Sequence, residues 1–138
     1  MNSEILKNRT KAYSVSIGKL IIALPFNTLN KNYANQLVRC SSSVGANYRA
    51  ACRAKSTADF LNKLKIVEEE LDETMFFLEL LQEFNSEMKS IIQENWNEGN
   101  ELLSIMVASI ITVRKNDSAG NRNQAIVNRN SKIVNQDA

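Results

Sequence analysis

Residues 39–81 read RCSSSVGANYRAACRAKSTADFLNKLKIVEEELDETMFFLELL, and they decide the fold because two helical apolar stripes are joined there by a very short turn. In the second half, Phe60, Leu64, Val67, Leu71, Thr74, Leu78 and Leu81 follow alternating steps of four and three. That spacing is the seam of a helix packed at a small angle on other helices. In the first half, Cys40, Val44, Asn47 and Ala51 continue a stripe begun at Tyr33 and Leu37. This helix is expected to stop near Arg53 to Lys55. Ser56 can then cap the next one, with Asp59 three residues on, as in a capping box with Asp in place of Glu.

The same period extends outward on both sides. Leu6, Thr10, Tyr13, Ile17, Leu20 and Leu24 form an earlier seam, with Ser3 and Glu4 as its start and Pro25 as its end. Ile92, Trp96, Gly99, Leu103, Met106, Ile110 and Val113 form a later one, for which Asn85 and Ser86 offer a cap. Four such stripes joined by turns of a few residues predict an all-α, antiparallel up-and-down four-helix bundle over residues 1–115. After Arg114 the chain reads KNDSAGNRNQAIVNRNSKIVNQDA, with too few apolar residues to offset the entropy of ordering. Residues 116–138 are expected to be a disordered, flexible polar tail. Its Arg122, Arg129 and Lys132 either add weak contacts to a polyanion or merely solubilise.

A chain of 138 residues suffices for one core. No window approaches the roughly 18 to 20 uninterrupted apolar residues that cross a bilayer, and no secretory leader is legible. A soluble, cytoplasmic protein without a membrane partner is expected. Cys40 and Cys52 stand twelve residues apart on one expected helix, about 18 Å of rise, so they cannot bridge within it.

Net charge is only +2, yet it is polarised along the sequence. Residues 1–65 hold eleven Lys or Arg against Glu4 and Asp59, giving +9, whereas residues 66–113 hold eleven acids against Lys89, giving −10. The tail adds five bases and two acids, +3. An antiparallel bundle then sets a basic helix pair beside an acidic pair.

The basic half supplies the candidate nucleic-acid contacts: Arg39, Arg49, Arg53, Lys55, Lys63 and Lys65. Such groups hold phosphates by charge and counterion release, which gives affinity without sequence readout. The alternatives are a solvated face or a subunit contact. Tyr48, between two of the arginines, either stacks on an unpaired base or packs in the core. No helix-turn-helix, zinc-finger or RNP-like pattern accompanies them.

Catalysis finds less support. The chain has no histidine, which excludes Ser-His and Cys-His nucleophile pairs and the Glu-x-x-His pattern of di-iron bundles. The densest carboxylate cluster, Glu68, Glu69, Glu70, Asp72 and Glu73, is expected to face solvent or the basic helices of a neighbouring subunit. Its like-charge pair Glu69 and Glu73 costs a few tenths of a kcal/mol if unpaired. The four glycines, 18, 45, 99 and 120, stand alone, so no phosphate loop is present. Neither enzymatic activity, nor a metal, nor a cofactor is expected.

Self-association has its own signals. Met75, Phe76, Phe77 and Leu78 are consecutive and span most of a turn, so some must meet a surface other than the bundle core. The run Ser41, Ser42, Ser43, Gly45 and Ala46 has poor helix propensity and suggests a close approach of another backbone, inside or outside the monomer. Head-to-tail rings join two different patches, and opposite charge halves suit such contacts.

Several of these residues also carry a likeness. Ser43-Val44-Gly45-Ala46-Asn47, then Arg53-Ala54-Lys55-Ser56, Asp59-Phe60 and Glu73 resemble the bacterial four-helix-bundle family of 23S rRNA intervening sequences, itself similar to the accessory protein of diversity-generating retroelements. The resemblance spans roughly residues 5–115 and departs from many members at Ala50-Ala51 and Glu69-Glu70. It implies an up-and-down bundle assembling as a ring, often a homopentamer, near ribosomal RNA or other nucleic acid. Two functions are therefore expected to compete. One is a non-enzymatic ring that meets RNA or DNA through helices 1 and 2. The other is a structural or adaptor homo-oligomer that recruits a protein partner and binds no nucleic acid.

Overall fold

A computed structural model describes residues 2–137, with side chains described through Gly120 and at Arg122, Asn123 and Ile126. Four helices follow one another: α1 (Ser3–Ala23), α2 (Thr28–Cys52), α3 (Thr57–Phe84) and α4 (Lys89–Asp137), the last preceded by a single 3-10 turn at Ser86–Met88. Each helix packs on its neighbours in sequence, and α1 closes the square against α4. Cross-helix partners run in opposite directions at every seam: Thr10 meets Gly45 and Ser14 meets Ser41, Asn30 meets Asn85 and Arg39 meets Glu73, Glu79 meets Trp96 and Gln82 meets Gln93, and Arg9 meets Glu98 while Ser16 meets Asn95. The bundle is antiparallel and up-and-down, as the periodicity predicts.

The ends follow from local chemistry. Asn2, one residue ahead of the expected start, caps α1 by accepting from the Ile5 amide at 2.9 Å. Pro25 disfavours helical backbone at the residue before it, and Leu24 is accordingly extended, with ψ of 140°. Asn27 caps α2 through the Asn30 amide, and Ser56 caps α3 through the Asp59 amide at 3.1 Å.

Asn85 does not cap the fourth helix. Instead it turns inward. Its Nδ2 donates to Asn30 Oδ1 while Asn30 Nδ2 donates to Asn85 Oδ1, both at 2.9 Å. The spare donors reach the Pro25 and Leu81 carbonyls, also at 2.9 Å, so this buried amide pair joins the two chain reversals at one end of the bundle.

The third seam is buried as its spacing requires, from Leu64 through Leu81, with Phe60 half-buried at its start. Two other seams drift by one residue. In α2 the core position is Tyr48 rather than Asn47, and in α4 Asn95 and Leu102 are buried where Trp96 and Leu103 were expected. The seven-residue repeat itself is kept, from Val44 to Ala51 and from Asn95 to Leu102, and only part of the second row of each seam, at Tyr48 and at Asn95 and Leu102, is set one position to the side.

The helix α4 also continues past Arg114, where the sequence reading ends it, to Asp137. No proline interrupts it, and Gly120 does not adopt the left-handed backbone that would stop it. From Arg114 to Gly120, and at Arg122, Asn123 and Ile126, the side chains are exposed, so core packing ends at half-buried Val113. Arg129 and Lys132 lie outside the described side chains.

Candidate nucleic-acid interface

The basic half and the acidic half meet at two seams, and charge crosses both. At the α1/α4 seam Arg9 grips Glu98 with two nitrogens, at 2.9 and 2.6 Å, and reaches Glu101 at 2.9 Å. These hydrogen bonds, Glu98 first, hold the guanidinium firmly protonated against the opposing effect of its burial. Ser16 donates to Asn95 Oδ1 at 2.7 Å further along the same seam. At the α2/α3 seam Arg39 donates to Glu73 and to Glu70, the latter at 3.4 Å. Burial raises the Glu70 carboxyl above its ordinary range, and Arg39 opposes that shift. Within the carboxylate cluster, Glu70 and Glu73 therefore find their cation on α2 of the same chain, while Glu69 and Asp72 face solvent, one of the two expectations.

This pairing sorts the six candidate phosphate ligands. Arg39 is tied to α3, and Lys65 is paired with Glu68 at 3.1 Å. Lys63 and Lys65 stand two residues apart, about 200° around α3, so they cannot serve one surface. Lys55 lies at the α2/α3 turn beside Ser56 and Phe60. Only Arg49 and Arg53 come together. Both are exposed and line an open groove of about 670 Å³ between α1 and α2.

Opposite them stand Lys7 and Lys11, which the sequence reading passed over. They lie at i, i+4 on α1, as Arg49 and Arg53 do at the end of α2, so two short cationic rows face each other. A signal was legible: Lys7 and Lys11 flank the α1 seam, but only antiparallel pairing with α2 aims them at Arg49. Glu4 also lines the groove and pairs with Lys7 at 3.0 Å, an exposed contact that is weak in water. Among the described residues, Lys11, Arg49 and Arg53 have no ion pair.

The floor of the groove explains the small-residue run. Gly45 packs on the α1 backbone, where a Cβ would meet the Thr10 carbonyl carbon at 3.6 Å and the Lys11 nitrogen at 3.7 Å. Ser14 Oγ donates to the Ser41 carbonyl at 2.8 Å. The close backbone approach expected from these residues is thus made, at Gly45 and Ser41, by α1 of the same chain. Ser42 and Ala46 remain exposed to the groove. Tyr48 turns into the core at 6% exposure, its hydroxyl pushed up by burial, and is not available to stack on a base.

Of the four consecutive apolar residues on α3, Met75 and Leu78 are buried and Phe77 is half-buried against Tyr33. Phe76 points outward at 55% exposure. Cys40 and Cys52 are both free thiols. Among the described residues no group of three His, Cys, Asp or Glu could hold a metal, and no helix is long and apolar enough to cross a membrane.

These features define an all-α, antiparallel four-helix-bundle protein with a cationic groove between α1 and α2, and its relatives narrow the class. Residues 4–108 match the 23S rRNA-intervening sequence protein family, and the chain belongs to it. Among solved structures it is similar to a protein with unknown function from the S23 ribosomal protein family of Bacteroides thetaiotaomicron, determined at 1.70 Å resolution. The two share 30% identity and superpose with a TM-score of 0.67, covering 75% of this chain and 96% of that one. No curated protein matches the chain.

Proposed function

We propose that this chain is a non-enzymatic, cytoplasmic protein that assembles as a ring, a homopentamer, and associates with RNA or DNA through the basic surface of α1 and α2. The observation that carries the reading is the convergence of Lys7, Lys11, Arg49 and Arg53 on one groove, whereas Arg9 and Arg39 are paired with carboxylates at the seams. Cations already matched by carboxylates add little to polyanion binding; unmatched ones release counterions. The family's link with 23S rRNA makes RNA the first polyanion to try. Outward-facing Phe76, beside acidic Asp72 and Glu73, suits a subunit contact.

Phe76 also favours a second reading, a structural or adaptor oligomer that recruits a protein partner. A filter-binding titration at two salt concentrations separates them. The first reading expects binding that weakens with salt and is lost when Arg49 and Arg53 are both changed to Glu. No retention at low salt, or retention indifferent to that reversal, leaves the adaptor reading in its place.

A further inference from the structure

Resting on that reading, we infer that the α1/α2 groove takes double-helical nucleic acid and holds it by its phosphates alone, with no base stacked on the protein. Three features of the groove carry this. Its cations form two rows, Lys7 with Lys11 and Arg49 with Arg53, each advancing about 6 Å over its four-residue step. That spacing is close to the step between successive phosphates of a strand. Two facing rows suit a surface that presents phosphates side by side.

The second feature is what the groove lacks. None of its lining residues is aromatic, and Tyr48, the nearest in sequence, is buried. Single-strand binders draw much of their affinity from bases stacked on aromatic rings. Without a stacking platform, a single strand offers this groove only its charge. A duplex carries that charge at higher density and releases more counterions per contact.

Thirdly, the floor of the groove offers nothing to base edges, and only Asn8 and Ser42 stand exposed along its lining as uncharged polar side chains. Ser14 is spent on the Ser41 carbonyl, and Gly45 presents no side chain at all. Contacts to phosphate position a nucleic acid without reading it. With four cations against two uncharged polar side chains, the groove holds nucleic acid chiefly without reading its sequence.

The experiment uses the full chain and fluorescence anisotropy with labelled oligonucleotides of about 20 nucleotides: a DNA duplex, an RNA duplex, a second duplex of unrelated sequence, and the matching single strands. Three unpaired cations, Lys11, Arg49 and Arg53, predict a salt slope near −2.7, so affinity for duplex falls about fortyfold between about 50 and 200 mM salt. Both duplex types bind more tightly than either single strand, and the two sequences agree within a few fold. Lys11→Ala and Arg49→Ala each reduce the slope by about 0.9. Arg39→Ala, on the acid-paired face, leaves it unchanged.

Binding of single strands equal to or tighter than that of duplexes overturns this inference while leaving the proposed function standing. A strong preference between duplex sequences, or an Arg39→Ala loss matching that of Arg49→Ala, does the same. If no nucleic acid of any form binds at low salt, both fall together.

Discussion

The Tyr13 hydroxyl occupies the space into which a side chain on Gly99 would grow: a Cβ there would stand 2.5 Å from Tyr13 Oη and 3.2 Å from Met75 Cγ. Tyr13 is 1% exposed and its Oη finds no hydrogen-bond partner. Glycine in a helix costs about 1 kcal/mol relative to alanine, so its presence at 99 reflects this contact. Crossing Tyr13 of α1 against bare backbone of α4 lets the two helices close.

Gly99→Ala is expected to destabilise the bundle by about 1 to 2 kcal/mol, because overpacking exceeds the gain in propensity. Tyr13→Phe is expected to be neutral or stabilising by about 1 kcal/mol, since it removes an orphaned buried hydroxyl. The double variant should be more stable than the sum of the single changes. Urea midpoints across the four proteins measure that coupling, and simple additivity would contradict it.

Leu71 and Phe76 lie five residues apart on α3 and face opposite ways, the first wholly buried and the second mostly outward. Leu71→Asp should unfold the chain, since a buried unpaired charge costs more than a domain of this size can spare. Phe76→Ser should keep full helicity and chiefly lower the oligomer mass. Circular dichroism beside light scattering reads both, and equal loss of helicity in the two variants would break the assignment of faces.

The Asn30 and Asn85 amides satisfy each other in the interior. Changing Asn85 to Leu alone strands the Asn30 amide and should cost about 1 to 3 kcal/mol. Changing both to Leu should recover part of that loss, because no side-chain amide is left stranded although the Pro25 and Leu81 carbonyls lose their donors. Thermal melts of the three proteins decide it.

Burial raises the hydroxyls of Tyr13 and Tyr48 above the ordinary tyrosine value of 10.0. Above about pH 10 the unfolded chain releases these protons while the folded chain keeps them. Their contribution to stability is therefore complete below that pH and is lost as pH climbs toward the raised folded values. Guanidinium midpoints should fall between pH 9 and pH 11, and the fall should shrink in a Tyr13→Phe, Tyr48→Phe double variant. An unchanged pH dependence in that variant would count against the buried hydroxyls as its source.

Legibility varied by element for physical reasons. The α3 seam from Leu64 to Leu81 could be read from sequence because its leucines, valine and threonine keep steps of four and three throughout, and the added burial of Met75 beside Thr74 does not break that row. In α4, Trp96 outranks Asn95 on hydrophobicity, yet Asn95 is buried; its amide donates to the Ile91 carbonyl and accepts from Ser16, which compensates its desolvation. No intrinsic scale anticipates a partner supplied by another helix. Asn85 was misjudged for the same reason, since an asparagine after a helix looks like a cap until Asn30, 55 residues away in sequence, takes both its polar ends.

The candidate interface shows the same division. Arg49 and Arg53 could be picked out by sequence, but so could Arg39, Lys55, Lys63 and Lys65, with nothing to rank them. Glu70 and Glu73 removed Arg39 by pairing with it across α2 and α3, and the turn of α3 set Lys63 and Lys65 on different sides.

By itself the sequence determined that four amphipathic helices would bury their stripes together, because period and turn chemistry are properties of neighbouring residues. It also determined that the two halves would carry opposite charge. Which cations stay free was decided only by the tertiary structure, since neutralisation depends on a carboxylate arriving within a few ångströms from a distant part of the chain. Packing α1 against α2 brought Lys7 and Lys11 opposite Arg49 and Arg53, and packing α4 and α3 beside them withdrew Arg9 and Arg39.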